Sequence, residues 1–180
     1  MSSLSTFAVR QRLIDIARAE VGTVEKPAAS NSGPRVKEYQ STTTLGGTGW
    51  PWCAAFVCWC IQQWWKDPAS RLALERAHGL KTDADFEKWR PKTAAAFGFH
   101  QWAESRKLEM FNDAPAHVLK TGDIMTFDMS HIGLVITDYS DRVQTIEGNT
   151  SDTGSRDGGG VFIKTRRRSE ARRFIRLLPP

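Results

Sequence analysis

The chain of 180 residues contains no apolar run long enough to cross a bilayer. Its longest strongly apolar stretch, Trp50 to Ile61, falls well short of the ~20 residues a spanning helix needs, so no transmembrane segment is expected. Cysteine is scarce: Cys53, Cys58 and Cys60 are the three present, all within eight residues. An odd, clustered set argues against a disulfide framework. No second Cys/His cluster accompanies them, and Cys58 and Cys60 lack ligand spacing, which argues against zinc. No metal and no cofactor is therefore expected. The opening MSSLSTFAVRQRLIDIARAE lacks the basic start and apolar block of a secretory signal. The expectation is synthesis in the cytoplasm without a signal peptide. Acidic residues are the minority charge, 20 against 25 Lys and Arg, for a formal net charge of +5. Much of the excess falls near the end, at Lys164, Arg166, Arg167, Arg168, Arg172, Arg173 and Arg176. Such a cluster suits an anionic partner, with a solvated strand face and tail as the plainer alternative.

The composition is that of a soluble globular protein, with 40% hydrophobic and 25% charged residues. The length suits one domain spanning 1–180. Residues 5–21 read as a helix, with Val9, Leu13, Ile16 and Ala17 on the 3.6 period and Gly22 as its stop. A Pro-, Ser-, Asn- and Gly-rich loop leads to a short helix at Pro34–Gln40. After the loop 41–51 a helix opens at Cys53. It is apolar on nearly every side, hence buried, and Lys66, Asp67 and Pro68 end it. Residues 66–107 read as a solvated helical insertion broken at Gly79, Pro91 and Gly98. Trp89, Phe97 and Trp102 would anchor it, and Lys81–Lys88 has the character of a lid. The last third changes to a period of two. Strands are expected at Asp123–Phe127, Ile132–Thr137, Val143–Glu147, Gly160–Thr165 and Ala171–Leu177. Helices first and an antiparallel strand run last give an α+β fold.

Chemistry concentrates at three points. A thiol becomes a good nucleophile as its thiolate, and a helix N-terminus stabilises that anion. Cys53 occupies such a place, while Cys58 and Cys60 lie inside the same helix as small apolar fillers. A cysteine nucleophile needs a base, usually histidine. His78 and His100 sit in polar helical surroundings expected to face solvent, and His117 lies in a linker. His131 opens the strand HIGLVIT after the turn Asp128–Ser130, on a rigid edge, and Gly133 shares its face. That glycine leaves room for substrate or for the cysteine helix. The imidazole needs an acceptor on its second nitrogen. A hairpin of the next strand would bring Glu147 near His131, with Asn149 on the same face by the period of two. Trp50 and Trp52 would line a substrate groove.

The order of these features resembles the CHAP family, the cysteine- and histidine-dependent amidohydrolases/peptidases of the papain-like group. The residues that carry the likeness are GTGWPWCAAFVCWC, KTGDIMTFDMSHIGLVI and VQTIEGNTS, with IARAEVGTVEKPAASNSGPRVKEYQ ahead of them. The likeness covers about residues 8–177. It implies N-terminal helices packed on an antiparallel sheet of about five or six strands. It also implies Cys53 as nucleophile, His131 as general base, Glu147 as the orienting third member and Asn149 as a polar neighbour. Some members of the family bind calcium in an Asp-rich loop before the cysteine. Here that loop reads STTTLGGTGWPW, without a carboxylate, so no calcium is expected in it.

The implied reaction is acyl transfer. A thiolate attacks an amide carbonyl, the oxyanion is held by N–H donors, and the imidazolium protonates the leaving amine. The Cys53 backbone N–H would be one donor and an indole N–H of Trp50 or Trp52 a second. The implied substrate is bacterial peptidoglycan, cut as an N-acetylmuramoyl-L-alanine amidase or a peptide-stem endopeptidase cuts it. The setting would be a phage endolysin released by a holin, or a secreted antibacterial effector with an immunity protein. Two alternatives stand beside it. One is a wall- or anion-binding module with an inactive site, using Arg166, Arg167 and Arg168. The other is a cysteine amidase acting on a non-wall amide.

Overall fold

The computed structural model describes residues 5–113, 117–128, 130–152 and 158–179. Helix α1 spans Thr6–Arg18, capped by the Ser5 hydroxyl, which accepts from the Ala8 N–H at 3.2 Å. Its periodic residues Val9, Leu13, Ile14 and Ala17 are buried. It stops three residues short of the expected 21, and the chain turns through Gly22 at φ +90°. Helix α2, Pro34–Gln40, takes the expected bounds. Helix α3, Cys53–Lys66, buries residues on every side, among them Phe56, Ile61 and Trp64 at zero exposure. Each such side chain contributes about 1.5–3 kcal/mol on leaving water.

The segment after α3, expected as a solvated helical insertion with a lid, is helical and is tied to the core by aromatic side chains. It holds α4 (Pro68–His78), α5 (Asp83–Trp89) and α6 (Gly98–Ser105). The Asp67 carboxylate caps α4 by accepting from the Ser70 N–H at 2.9 Å. A capping box from Thr82 starts α5. Phe86 of α5 stacks on Trp65 of α3 with ring centroids 4.5 Å apart, and Trp89 meets Trp102 edge-on at 5.5 Å. These aromatics dock 81–88 onto the buried helix. Trp89 and Trp102 anchor the segment as expected, whereas Phe97 is 38% exposed and does not.

The six strands form one antiparallel sheet in the order β1-β6-β2-β3-β4-β5. They are β1 (Glu109–Phe111), β2 (Ile124–Phe127), β3 (His131–Asp138), β4 (Arg142–Thr150), β5 (Gly160–Arg167) and β6 (Ala171–Arg176). Among the described residues, six helices and this sheet make an α+β fold. Strand β1 was not expected. Three residues are too short to show a period, and they are strand only because Met110 pairs with Ile175 of β6.

The sheet buries both faces. Ile124, Ile132, Leu134, Ile146 and Ile175 pack with the helices in the main core. Met125, Phe127, Val135, Val143 and Phe174 form a smaller cluster, on the opposite face by alternation. Asp123 ties the ends together, with Arg176 of β6 at 2.9 Å and Arg10 of α1 at 3.9 Å. No helix among the described residues is long and apolar enough to cross a membrane.

Candidate active site

Cys53 opens α3, so its backbone N–H belongs to the first-turn donors that lack an intrahelical acceptor. The turn that presents it is held from three sides. The Trp52 backbone N–H donates to Asn149 Oδ1 at 3.1 Å. The Trp52 indole N–H donates to Glu25 Oε1 at 2.9 Å, and its ring stacks on Tyr39 at 5.4 Å. Gly148 of β4 lets the helix approach the sheet. A Cβ there would stand 2.6 Å from Phe56 Cβ and 2.9 Å from the Trp52 ring. Trp52 is fully buried, which corrects its expected place in a substrate groove. Asn149, expected as a polar neighbour on the same face as Glu147, is placed differently. A register shift between Glu147 and Thr150, with Asn149 at φ +54°, breaks the alternation that would have kept 147 and 149 on one face. Its side-chain amide donates to Asn31 Oδ1 and Gly158 O, each at 3.2 Å.

His131 is the first residue of β3 and sits at the end of the sheet, where the cysteine helix reaches it. Cys53 Sγ lies 3.9 Å from the carbonyl of the preceding Ser130 and is a hydrogen-bond partner of the His131 ring. Met129, in the turn expected at 128–130, falls outside the described residues. The far ring nitrogen, Nε2, is 2.9 Å from Glu147 Oε2. The nitrogen left for the sulfur is Nδ1. Glu147 is wholly buried and comes from β4. Gly133 is the residue that makes this crossing feasible. A Cβ there would stand 2.7 Å from Glu147 Cγ and 3.1 Å from Ile146 O. The space expected to serve substrate or the cysteine helix is filled by the Glu147 side chain.

The Glu147 carboxylate accepts four hydrogen bonds. Thr145 Oγ1 donates at 2.6 Å and Arg166 Nε at 2.8 Å to Oε1; His131 Nε2 and Arg166 Nη2 donate to Oε2. Burial alone would raise its pKa. The bonds to Arg166 and His131 and their charges outweigh burial and hold it down to about 2. Burial alone would lower the His131 pKa. The hydrogen bonds and charges of Cys53 and Glu147 reverse that and push it up to about 9. The ring is therefore an imidazolium at neutral pH, flanked by a carboxylate and a sulfur. Burial pushes Cys58 up to about 12 and Cys60 well above the ordinary thiol value, which suits inert fillers.

An open cleft of about 740 Å³ reaches Cys53. Its lining includes Leu45, Trp50, Pro51, Lys92–Ala96 and Ser130. Trp50 is half-buried and lines it, and its indole N–H donates to Gly46 O at 2.9 Å. Both indole N–H groups named as oxyanion donors are thus bonded elsewhere. The other histidines bond or pack against other partners and are not simply solvated. His78 Nε2 bonds Leu177 O at 2.7 Å, and His100 Nε2 bonds Thr126 Oγ1 at 2.8 Å. His117 lies against Phe111.

The expected basic surface is also corrected. Arg166 is spent on Glu147, and Arg168 pairs with Asp113 and Asp138, each at 2.6 Å. Only Arg167 of the three is exposed. Charge counting along the sequence missed Arg166. Its place on β5, next to the strand that carries Glu147, was the available signal. Among the described residues no group of three or more His, Cys, Asp or Glu side chains is arranged to hold a metal ion.

No protein-family model and no curated protein matches the chain. Among solved structures it is similar to Ly7917, at 14% identity and a TM-score of 0.47, covering 95% of this chain and 62% of that one. It is also similar to Ly7917 with the hydrolyzing product of MDP, at 14% identity and a TM-score of 0.43, covering 95% and 63%. The chain thus spans less than two thirds of the length of these neighbours.

Proposed function

We propose that this chain is a cysteine-dependent amidohydrolase of the CHAP type that cuts an amide bond in bacterial peptidoglycan. One observation carries the reading. A sulfur at a helix start, an imidazole and a buried carboxylate are aligned at the edge of an open cleft. An imidazolium beside a sulfur favours the thiolate. The Cys53 thiolate attacks the amide carbonyl, and first-turn N–H groups of α3 stabilise the oxyanion. His131 then gives its Nδ1 proton to the leaving amine, and water hydrolyses the thioester with His131 as base. Glu147 keeps the ring oriented throughout and stabilises its cationic form whenever it carries the second proton. The bond is that of an N-acetylmuramoyl-L-alanine amidase or of a peptide-stem endopeptidase.

The test is release of new amino groups from purified cell wall, followed by mass analysis of the muropeptides. Wild-type protein releases them, and Cys53→Ala lowers the rate by roughly a thousandfold or more. Equal release by both proteins would sink the reading. Turnover of other amides with an intact wall would move the same chemistry to a non-wall substrate. The biological setting we propose is a holin-released endolysin or a secreted antibacterial effector. Toxicity on periplasmic but not cytoplasmic expression tests the wall as target in both. A binding module with a dead site loses its main support, because Arg166 and Arg168 are committed to internal ion pairs.

A further inference from the structure

Two of the four hydrogen bonds on Glu147 come from a residue that a Cys-His-Glu arrangement does not require. Arg166 reaches across from β5 and grips both carboxylate oxygens through Nε and Nη2. Its guanidinium lies 5.4 Å from the centre of the Phe127 ring, and that ring lies 5.5 Å from His131. The side chain is 15% exposed, against 0% for Glu147. The fork is therefore a packed part of the site. Bidentate pairing of this kind fixes a carboxylate in plane as well as in charge.

Charge counting shows what the pair does to its neighbours. Without Arg166, an ionised Glu147 would by itself neutralise the His131 imidazolium, and a thiolate at Cys53 would leave the buried cluster negative. With Arg166, Glu147 is already balanced, so the charge left to balance the imidazolium is that of the Cys53 thiolate. The groups that face this cluster are Cys53 from α3, His131 from β3, Glu147 from β4 and Arg166 from β5. Glu170 also faces Arg166, from the short turn after β5.

We propose that Arg166 is a positioning residue that divides the charge of Glu147, so that the imidazolium of His131 takes the Cys53 thiolate as its counter-ion. This rests on the reading of Cys53 as the nucleophile, and it concerns how the pair is tuned rather than which bond is cut.

The test needs no substrate. Iodoacetamide alkylates a thiolate, forming a carbon–sulfur bond and releasing iodide, so its rate against pH reports thiolate formation. Cys58 and Cys60 are fully buried, and Cys53→Ala provides the blank. Arg166→Gln removes the charge. It moves the midpoint of the alkylation profile upward by about one pH unit. Arg166→Lys keeps the charge and loses the fork. It keeps the midpoint near that of wild type. In a wall-hydrolysis assay its kcat falls roughly tenfold, with KM little changed.

An unshifted midpoint in Arg166→Gln overturns the proposal, as does an equal shift in both variants. If the Gln variant does not fold, the Lys variant decides alone: a wild-type midpoint supports the proposal and a shifted one overturns it. A protein that alkylates as described and leaves muropeptides intact refutes the wall-hydrolase reading without touching this one.

Discussion

Gly133 is a residue whose missing side chain shapes the site. In the period of two it faces the same way as His131, and the absent Cβ is where the Glu147 side chain runs. Adding a methyl group in Gly133→Ala puts a carbon 2.7 Å from Glu147 Cγ, and the backbone carbonyl of Ile146 blocks retreat at 3.1 Å. Such overpacking costs about 1–3 kcal/mol in stability. The larger effect falls on the reaction, because the carboxylate must shift relative to the imidazole. We expect Gly133→Ala to lower kcat by on the order of a hundredfold, with the cleft and KM nearly unchanged. Wall-hydrolysis kinetics beside urea unfolding will separate the two effects. A variant with wild-type kcat would show that Glu147 has slack the packing does not reveal.

At the scale of elements, the junction between β4 and the start of α3 matters most. The bulge after Glu147 breaks the alternation at Asn149, whose side-chain Oδ1 accepts the Trp52 N–H one residue ahead of the sulfur. Asn149→Ala leaves that buried N–H without its acceptor, at a cost of about 1–3 kcal/mol. It also places a Cβ residue of ordinary preference at φ +54°, which asparagine tolerates better. We expect reduced stability in urea and a lower kcat from a less rigid cysteine turn. Asn149→Asp retains the acceptor for Trp52 but sets a carboxylate oxygen against Asn31 Oδ1 and Gly158 O, so it recovers only part of both. Equal kcat in all three proteins would remove Asn149 from the machinery. The same scale explains the segment 66–107. Its polar exterior reads as an insertion, but Phe86, Trp89 and Trp102 bury against α3 and each other, and Lys92–Ala96 then form a wall of the cleft.

At the scale of the whole molecule, the buried charges set how stability follows pH. Glu147 titrates at about 2 in the folded chain, against 4.5 for an ordinary glutamate, so its contribution is present above pH 4.5 and lost as pH falls toward 2. His131 titrates at about 9 against an ordinary 6.5, so its contribution is complete below pH 6.5 and lost as pH rises through 9. Between those limits the ion pairs of Glu147 with His131 and Arg166 contribute fully. Urea midpoints measured at about pH 3, 5.5 and 10 should be highest at the middle value. Glu147→Gln should flatten the acid side of this curve. An unchanged acid side in that variant would assign acid unfolding to other carboxylates.

The order of the amino acids determined the fold class, the bounds of α2, the start and end of α3, and the strands β2 to β6 to within a few residues, because those features come from local periodicity, proline and glycine. It also offered Cys53 and His131 as candidates from a helix start and a strand start, and Glu147 from the strand expected beside His131, although β4 runs past Glu147 to Thr150. Only the tertiary structure decided the rest. Strand β1 exists through its partner β6, Asn149 changes face at a bulge, and Trp52 is sealed in by Tyr39 and Glu25. Arg166 leaves a surface cluster to grip a buried carboxylate. Each of these depends on a side chain many residues away, and a charge has no fixed partner until the chain has folded around it.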